Sequence, residues 1–328
     1  MKTILIYGAY GYTGAMITEQ LSILGQNIIV AGRDESKLNV IKEKFNVPSK
    51  VFSLGSEHEL TRILKDIDII INCAGPFSRT VRPLMRAAIK NNTHYLDISA
   101  ELDSYYLAEA LDEEAKAAGV LLMPGCGGSV AMIGCLTAFA IKQMPNPVEA
   151  RVALHVSGSM SRGSAISASD NLTPTLIVRH AHELTETEDS VTRTFNFGNG
   201  MVDCVPVSLP EVITLWAQNR IADISTYVHV SGEAFPTGDL SSLPAGPTEQ
   251  ERENNRYQAA VQLTDVDGNE VHAMLDTLNG YSVTPRAAAL AVKNIANGNV
   301  KAGFRTPSEM FGSSFILNIP TTTMELIS

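Results

Sequence analysis

The chain has 328 residues, 18% of them charged, and a formal net charge of -10 at pH 7. Its length exceeds the size at which single cores stop growing, which implies two domains. The acidic balance, with no cluster of lysine or arginine, argues against sequence-independent binding to nucleic acid or to an anionic membrane surface. Cys73, Cys126, Cys135 and Cys204 stand without CxxC or finger spacing, so neither a disulfide framework nor a zinc site is indicated, and reduced thiols in a cytoplasmic protein are expected.

The chain opens on an apolar run, Ile4 to Tyr7, that stops at Gly8, Gly11 and Gly14 and passes into helix-forming sequence. A strand, a tight turn and a helix N-terminus in that order can hold the pyrophosphate of a dinucleotide. Gly8 lets the chain leave the strand, Gly11 lets backbone approach phosphate, and Gly14 lets the helix pack on the sheet. Tyr10, Tyr12 and Thr13 line the same turn. The spacing GxxGxxG is looser than GxGxxG, and its place directly after the first strand gives it meaning. Gly8 also cuts the first apolar run too short for a signal peptide, and none is read.

A second strand near 27–31 leads into Gly32-Arg33-Asp34. An NAD-type site places an acidic residue here to hold the free ribose hydroxyl, whereas the guanidinium of Arg33 suits a 2′-phosphate, so NADP is the expected cofactor. Ser36 and Lys37 add donors, and Asp34 also suits the cap of the next helix. Further strands are expected near 50–53, 67–71, 94–98 and 119–123, with helices near 12–24, 35–45, 57–64, 79–91 and 103–117. Six such strands form a doubly wound parallel sheet, an α/β Rossmann fold. The fourth strand ends in Asn72-Cys73-Ala74-Gly75-Pro76-Phe77 at the carboxyl edge, where Ala74, Gly75, Pro76 and Phe77 are expected to flank the nicotinamide. The fifth ends in HYLDISAE, which offers Asp97 and Glu101 as candidate catalytic carboxylates. Capping of the helix at 103, by Ser99 or Asp103, is the competing reading.

From Ala117 to Ile141 the sequence carries no charge, yet Pro124, Gly125, Gly127 and Gly128 divide it into pieces too short to cross a bilayer. Beyond it, alternation from Val148 to Val156 predicts a strand with one wet face. Turns at Asn199-Gly200 and Asp267-Gly268 predict two hairpins, hence an antiparallel sheet in a second α+β domain. A helix from about Ser164 to Leu184 is expected on its dry face, and Phe235 to Asn255 reads as a long loop. A helix starting after Thr284, with Pro285 in its first turn, ends at Gly298 and is expected to pack back on the first domain. The expected division is 1–128 for cofactor binding and 129–328 for substrate and oligomerisation. His155, His180, His182 and His272 show no metal-binding spacing, and no GxSxG supplies a nucleophile.

GAYGYTG, AGRDESKL, NCAGPF and HYLDISAE, taken in order, resemble the saccharopine dehydrogenase-like NADP-binding family, which includes trans-acting enoyl reductases. The segments SMSRGSAISASDNL, LNGYSVTPRAAALA and GFRTPSEMFG are similar to that family's second domain and return helix. The resemblance implies an NADP-dependent oxidoreductase that moves a hydride between NADPH and a small-molecule substrate. The sequence does not name the oligomer and leaves a homodimer open. Two departures stand out. Ala100-Glu101 replaces a Gly-Glu pair, and the acid of a Gly-Phe-Asp sequence is missing near Gly127-Gly128-Ser129, so a relative's substrate does not transfer. A non-catalytic NADP-binding regulator or redox sensor, or a scaffold with a vestigial glycine turn, are the other functions this sequence admits.

Overall fold

Short runs of isoleucine, leucine and valine, too brief for helices and buried on both faces, make the strands of the first half. In the computed structural model, which describes residues 1–170, 175–188, 190–232 and 238–327, they alternate with helices throughout. The order is β1 (Thr3–Tyr7), α1 (Tyr12–Ile23), β2 (Asn27–Gly32), α2 (Glu35–Phe45), β3 (Ser49–Val51), α3 (Glu57–Leu64), β4 (Ile69–Asn72) and α4 (Phe77–Lys90), then β5 (His94–Asp97), α5 (Leu102–Ala110), α6 (Asp112–Ala117) and β6 (Leu121–Met123). The predicted helix over 103–117 is two helices, because the backbone of Leu111 turns away from helical geometry (φ -98°, ψ 4°). Side-chain caps fix two starts. Asp34 accepts from the Lys37 amide at 3.1 Å and Ser56 from the Glu59 amide at 3.2 Å.

The chain continues through α7 (Gly128–Ala140), β7 (Glu149–Ser157), α8 (Arg162–Asp170), β8 (Leu176–His180), β9 (Glu183–Thr187), β10 (Arg193–Asn196), β11 (Met201–Pro206), α9 (Glu211–Asn219), β12 (Asp223–Ser231), α10 (Glu249–Asn254), β13 (Tyr257–Thr264) and β14 (Glu270–Thr277). It closes with α11 (Gly280–Ala296), β15 (Gly303–Phe304), α12 (Pro307–Phe311) and β16 (Thr323–Ile327). Two compact units result, Met1–Gly127 with Thr284–Arg305, and Gly128–Val283 with Thr306–Ser328.

The first unit is a seven-stranded sheet in the order β15-β6-β5-β4-β1-β2-β3, parallel at each pairing. The strand order reverses between β1 and β4, which is the place where doubly wound sheets bind their ligands. The seventh strand was not expected from the sequence. Gly303–Phe304 is only two residues long, and such a strand leaves no periodic signal; it pairs with Leu121 and Leu122 and is pinned by Asp112, whose Oδ1 accepts from the Phe304 amide at 2.7 Å.

The second unit is a nine-stranded sheet in the order β10-β11-β12-β7-β13-β14-β16, with β8 beside β12 and β9 beside β8. Both predicted hairpins are present, β10 with β11 and β13 with β14. The sheet is mixed rather than antiparallel, because β7 and β12 run parallel from Asp223↔Glu149 to Ser231↔Ser157. Local turns give antiparallel neighbours, whereas a long excursion through six elements lets the chain return in the same direction. Phe195, Phe197, Cys204 and Tyr227 close part of the core beneath Ala153 and Ala260.

The helix expected over 164–184 ends at Asp170. Residues 171–174 lie outside the described residues, and from Leu176 the β-branched run Ile177-Val178 is a strand that turns through Ala181 and His182, both at positive φ. Among the described residues, α7 and α9 both lie against the sheet, α7 packing its apolar surface on β13 and β14 and α9 packing on β12. Within the expected loop, 233–237 lie outside the described residues, while Glu249–Asn254 is a helix closed by a Thr248–Glu251 capping box. The last long helix starts at Gly280, five residues before Pro285. Asn279 sets this start, its Oδ1 accepting from the Tyr281 amide at 3.1 Å and its carbonyl from the Val283 amide at 2.9 Å.

Candidate cofactor site and buried carboxylates

Gly8 leaves β1 at φ +81°, a left-handed conformation that favours glycine, and a Cβ on it would lie 2.8 Å from the Ala74 nitrogen. The first turn and the loop after β4 are therefore in direct backbone contact. The Gly8 and Ala9 amides donate to the Ala31 carbonyl at 2.9 and 3.2 Å, and the Gly11 amide folds back to Gly8 O at 3.0 Å. A Cβ on Gly14 would collide with Gly8 O and the Ala9 backbone, so α1 sits on the turn with no room for a side chain. Gly11 differs from the other two. Its Cβ would meet Gly8 O at 3.2 Å and Cys73 O at 4.0 Å, with no other described atom within 4 Å, leaving an open face. Gly11 is also the N-cap of α1 and gives it no side-chain cap, and the first turn of α1 has no acidic residue. An uncapped helix start beside a glycine-built opening fits a diphosphate, whose charge the amides and the helix dipole favour.

The residues expected at the adenosine end lie at the tip of β2. Arg33 is exposed and has no hydrogen-bond or ion-pair partner among the described residues. Tyr10 folds its ring edge against Gly32, where a Cβ would strike it, and carries the Lys37 ammonium 5.8 Å from its ring centre. Ser36 and Lys37 are engaged with the Asp34 carboxylate at 2.7 and 3.4 Å. Asp34 is the cap of α2, as well as the neighbour of Arg33. Burial raises the pKa of Tyr7, Tyr10 adds to that rise and Arg33 opposes it, which brings these three groups into one electrostatic neighbourhood. Tyr12 and Thr13 occupy the first turn of α1, half-buried.

The nicotinamide end is expected at the loop from Cys73 to Phe77. The Cys73 amide donates to Tyr7 O at 2.8 Å, Gly75–Pro76 is a cis peptide, and Phe77 begins α4 with its side chain buried. Asn72, fully buried at the end of β4, organises this loop. Its Oδ1 accepts from the Ala74 amide at 3.0 Å, and its Nδ2 donates to Thr80 Oγ1 at 2.9 Å and to Tyr95 Oη at 3.2 Å. Thr80 in turn donates to Ala74 O at 2.8 Å, so both backbone polar groups of Ala74 are held.

Asp97 is fully buried, one strand further along the edge. Its Oδ1 accepts from the Ser99 amide (3.0 Å), the Ser99 hydroxyl (2.7 Å) and the Gly125 amide (2.8 Å), and its Oδ2 from Tyr95 Oη (3.0 Å). Burial pushes its carboxyl up to about 6, against the pull of these four donors. Glu101 is a different kind of carboxylate. It is 7% exposed, its Oε2 accepts from the Ala100 amide at 3.0 Å, and its Oε1 is buried with no partner among the described residues. The structure thus brings Asp97 into a network with Asn72, Tyr95, Thr80, Ser99 and Gly125, and leaves Glu101 outside it. Asn72 and Tyr95 were missed as site residues. A buried Asn at the end of the run Ile69-Ile70-Ile71 was the available signal, since such a group needs partners.

In the second unit, Glu211 at the start of α9 is fully buried. Neither of its carboxylate oxygens has a formed hydrogen bond among the described residues, although its own amide and the Ser129 hydroxyl lie close by. Burial pushes this carboxyl up to about 7. The histidines serve the sheet: His155 bridges Gln258 and Ser231 at 2.9 Å each, and His180 contacts Asp223 at 2.7 Å. No three His, Cys, Asp or Glu residues converge as a metal site among the described residues.

Residues 4–123 match the Saccharopine dehydrogenase NADP binding domain. That stretch is similar to this family of domains. Among curated proteins, the saccharopine dehydrogenase-like oxidoreductase of Mus musculus is 28% identical over 144 residues, covering 38% of this chain and 34% of the relative. The trans-acting enoyl reductase of Mycobacterium ulcerans is 26% identical over 134 residues, covering 38% and 32%. The matches thus span about a third of the length of those relatives. Among solved structures, the apo saccharopine dehydrogenase (L-Glu forming) of Saccharomyces cerevisiae aligns over 100% of both chains with a TM-score of 0.67 at 12% identity. The homospermidine synthase of Legionella pneumophila, in complex with NAD, covers 99% of this chain and 91% of its own with a TM-score of 0.66 at 12% identity. These two share the fold.

Two substitutions separate packing from ligand contact. Gly14→Ala is expected to lower the melting temperature of the apoprotein, the clash with Gly8 O costing about 1–3 kcal/mol, whereas Gly11→Ala, whose Cβ would meet Gly8 O less closely, at 3.2 Å, lowers it by less; thermal denaturation of both without ligand checks this. Glu211 has a folded-state pKa above its unfolded value, so its ionisation costs stability as pH rises from 4.5 through about 7. Glu211→Gln removes this cost. Its unfolding free energy relative to the parent is expected to improve between pH 5 and pH 8 by up to about 3 kcal/mol, and urea titrations at the two pH values measure the difference.

Proposed function

We propose that this chain is an NADP-dependent oxidoreductase that transfers a hydride between the nicotinamide and a small-molecule substrate. The observation that carries this is the first unit's glycine-built turn: Gly8 and Gly14 closed by packing, Gly11 open, and α1 uncapped above it. The choice of NADP over NAD rests on Arg33, an exposed cation at the tip of β2 without a partner among the described residues. The name of the matching domain family agrees with that choice, while the Legionella relative holds NAD.

Bound there, the nicotinamide supplies the hydride chemistry. This chain's residues bind and orient. The amides at the start of α1 take the diphosphate, Arg33 takes the 2′-phosphate with Tyr10 beside it, and Ala74, Gly75, Pro76 and Phe77 flank the nicotinamide. Hydride transfer to or from a carbon is accompanied by a proton at the neighbouring atom. Glu101 is assigned that proton, because it keeps a buried carboxylate oxygen free where Asp97 has none. Asp97 is assigned a positioning role. Residues 129–328 are assigned to substrate recognition and self-association as a homodimer.

No helix among the described residues is long and apolar enough to cross a membrane, and a cytoplasmic location is part of this proposal. A non-catalytic NADP-binding regulator would bind the cofactor equally well and differs in never oxidising it. NADPH is expected to raise the melting temperature more than NADH does. Arg33→Ala should weaken NADPH binding by about 1.5–3 kcal/mol and leave NADH binding nearly unchanged. Calorimetry with both dinucleotides reads this, and equal losses for the two would refute the phosphate role of Arg33.

A further inference from the structure

We infer that Asn72, Tyr95 and Asp97 form a proton-sensitive relay, in which the ionisation state of Asp97 sets how firmly the Ala74 loop is held for the cofactor. This rests on the proposal that the first unit binds a dinucleotide, and it concerns regulation of that same site.

The direction of each hydrogen bond carries the argument. Asn72 Nδ2 donates to Tyr95 Oη, and Tyr95 Oη donates to Asp97 Oδ2. The chain of donors runs one way and ends on a charge, an arrangement in which each bond polarises the next. Asp97 Oδ1 already accepts three donors, from the Ser99 amide and hydroxyl and from the Gly125 amide. A proton added to Asp97 therefore goes to Oδ2. There it faces Tyr95 Oη, and the carboxyl becomes a donor toward a hydroxyl that was donating to it. Tyr95 is fully buried, so its own hydrogen is left without an acceptor unless it turns toward Asn72, whose Nδ2 can only donate. One bond of the chain must open. The weakest is the longest, Asn72 to Tyr95 at 3.2 Å.

Asn72 is the anchor of the cofactor loop. Released from Tyr95, it still reaches Thr80, but the amide plane that presents Oδ1 to the Ala74 nitrogen loses one of its two fixed points. Ala74 is also the residue that packs against Gly8, so freedom at Ala74 is felt at the phosphate turn. The ionised form of Asp97 holds the loop and the protonated form loosens it.

The surroundings place this change in an accessible pH range. Burial raises the Asp97 carboxyl to about 6. The groups facing it from adjoining elements are Tyr95 on its own strand, Cys73 after β4 and Cys126 after β6, and burial raises the pKa of each, so they stay neutral while Asp97 titrates. Tyr105 and Glu101 adjoin the Ser99 loop, Tyr105 by donating to Ser99 O at 2.8 Å and Glu101 by accepting from the Ala100 amide. His94 lies at the opposite end of β5, where burial lowers its pKa and its Nδ1 accepts from the Leu121 amide.

The test is an amide chemical-shift titration of the full chain from pH 5 to pH 8, without cofactor, following Ala74, Ser99 and Gly125. In the wild type all three should move with one midpoint near 6. Tyr95→Phe removes the hydroxyl with almost no change of shape; Ser99 and Gly125 should still titrate and Ala74 should stop. Asp97→Asn, a permanent donor toward Tyr95, should abolish all three movements. Failure of Ala74 to follow Ser99 and Gly125 in the wild type, or its persistence in Tyr95→Phe, overturns the relay. A second arm measures NADPH affinity at both ends of the range. The ratio of wild-type to Tyr95→Phe affinity should be about fivefold at pH 8, the worth of one hydrogen bond, and fall to near one at pH 5. Titration of the cofactor's own phosphate cancels in that ratio. A ratio that stays constant also overturns the relay. A wild type that binds no NADPH at either pH refutes the cofactor assignment instead, and the amide titration still decides the relay.

Discussion

A carboxylate buried at the end of a parallel sheet must be solvated by the protein itself, and much of the first unit's working edge follows from that requirement. An unpaired ion in such a place would cost several kcal/mol. Asp97 avoids this by drawing on the backbone of two loops and the side chains of Ser99 and Tyr95. Those donors converge only if the chain after β5 turns tightly and the chain after β6 passes close enough for Gly125 to point inward. Gly125, at φ +60°, makes the second condition achievable, since a side chain on it would strike the Tyr105 hydroxyl. Tyr95 then extends the arrangement to Asn72, and Asn72 to the loop beside the glycine turn. Three strand ends are fixed to one another through polar atoms, at the edge where doubly wound sheets do their chemistry.

The second carboxylate illustrates the complementary case. Glu101 stands only four residues from Asp97 and is almost as deeply buried, yet it satisfies one oxygen and leaves the other without a partner among the described residues. Structures tolerate few such groups, and those they keep call for an explanation. The contrast divides the labour between the two acids: one spends its hydrogen-bonding capacity on architecture, the other retains it.

The Rossmann unit was legible because its signals are local. Apolar runs of four to six residues, glycines at the first turn and polar caps such as Asp34 each act within a few positions, and the strand order read from them matches the structure through residue 123, with the helices matching through α4. The glycine turn and the Ala74 loop could be located, but not the contact of Gly8 with Ala74, which joins residues 66 positions apart and appears only on folding. For the same reason Asp97 and Glu101 looked equivalent in sequence. What separates them is Tyr95 and Gly125, reaching one and not the other. The second unit was harder because its sheet is assembled from long-range pairings. Local turns revealed the two hairpins, whereas the parallel pairing of β7 with β12 depends on where a chain returns after 65 residues. The strand at Leu176 was absorbed into the helix expected over 164–184, and Pro174 and the β-branched run Ile177-Val178 were the signals against that helix.

The two-residue strand β15 has a consequence for how the molecule is made. Emerging from a ribosome, the first 123 residues contain six of the seven strands, but β6 keeps an open edge until Gly303 and Phe304 arrive some 180 residues later. During that interval the nascent chain presents backbone donors and acceptors that any extended segment could pair with. The nine-stranded sheet is synthesised almost entirely while the first one waits. A gene cut after the sixth strand would make that temporary state permanent, leaving a strand edge free to recruit other chains.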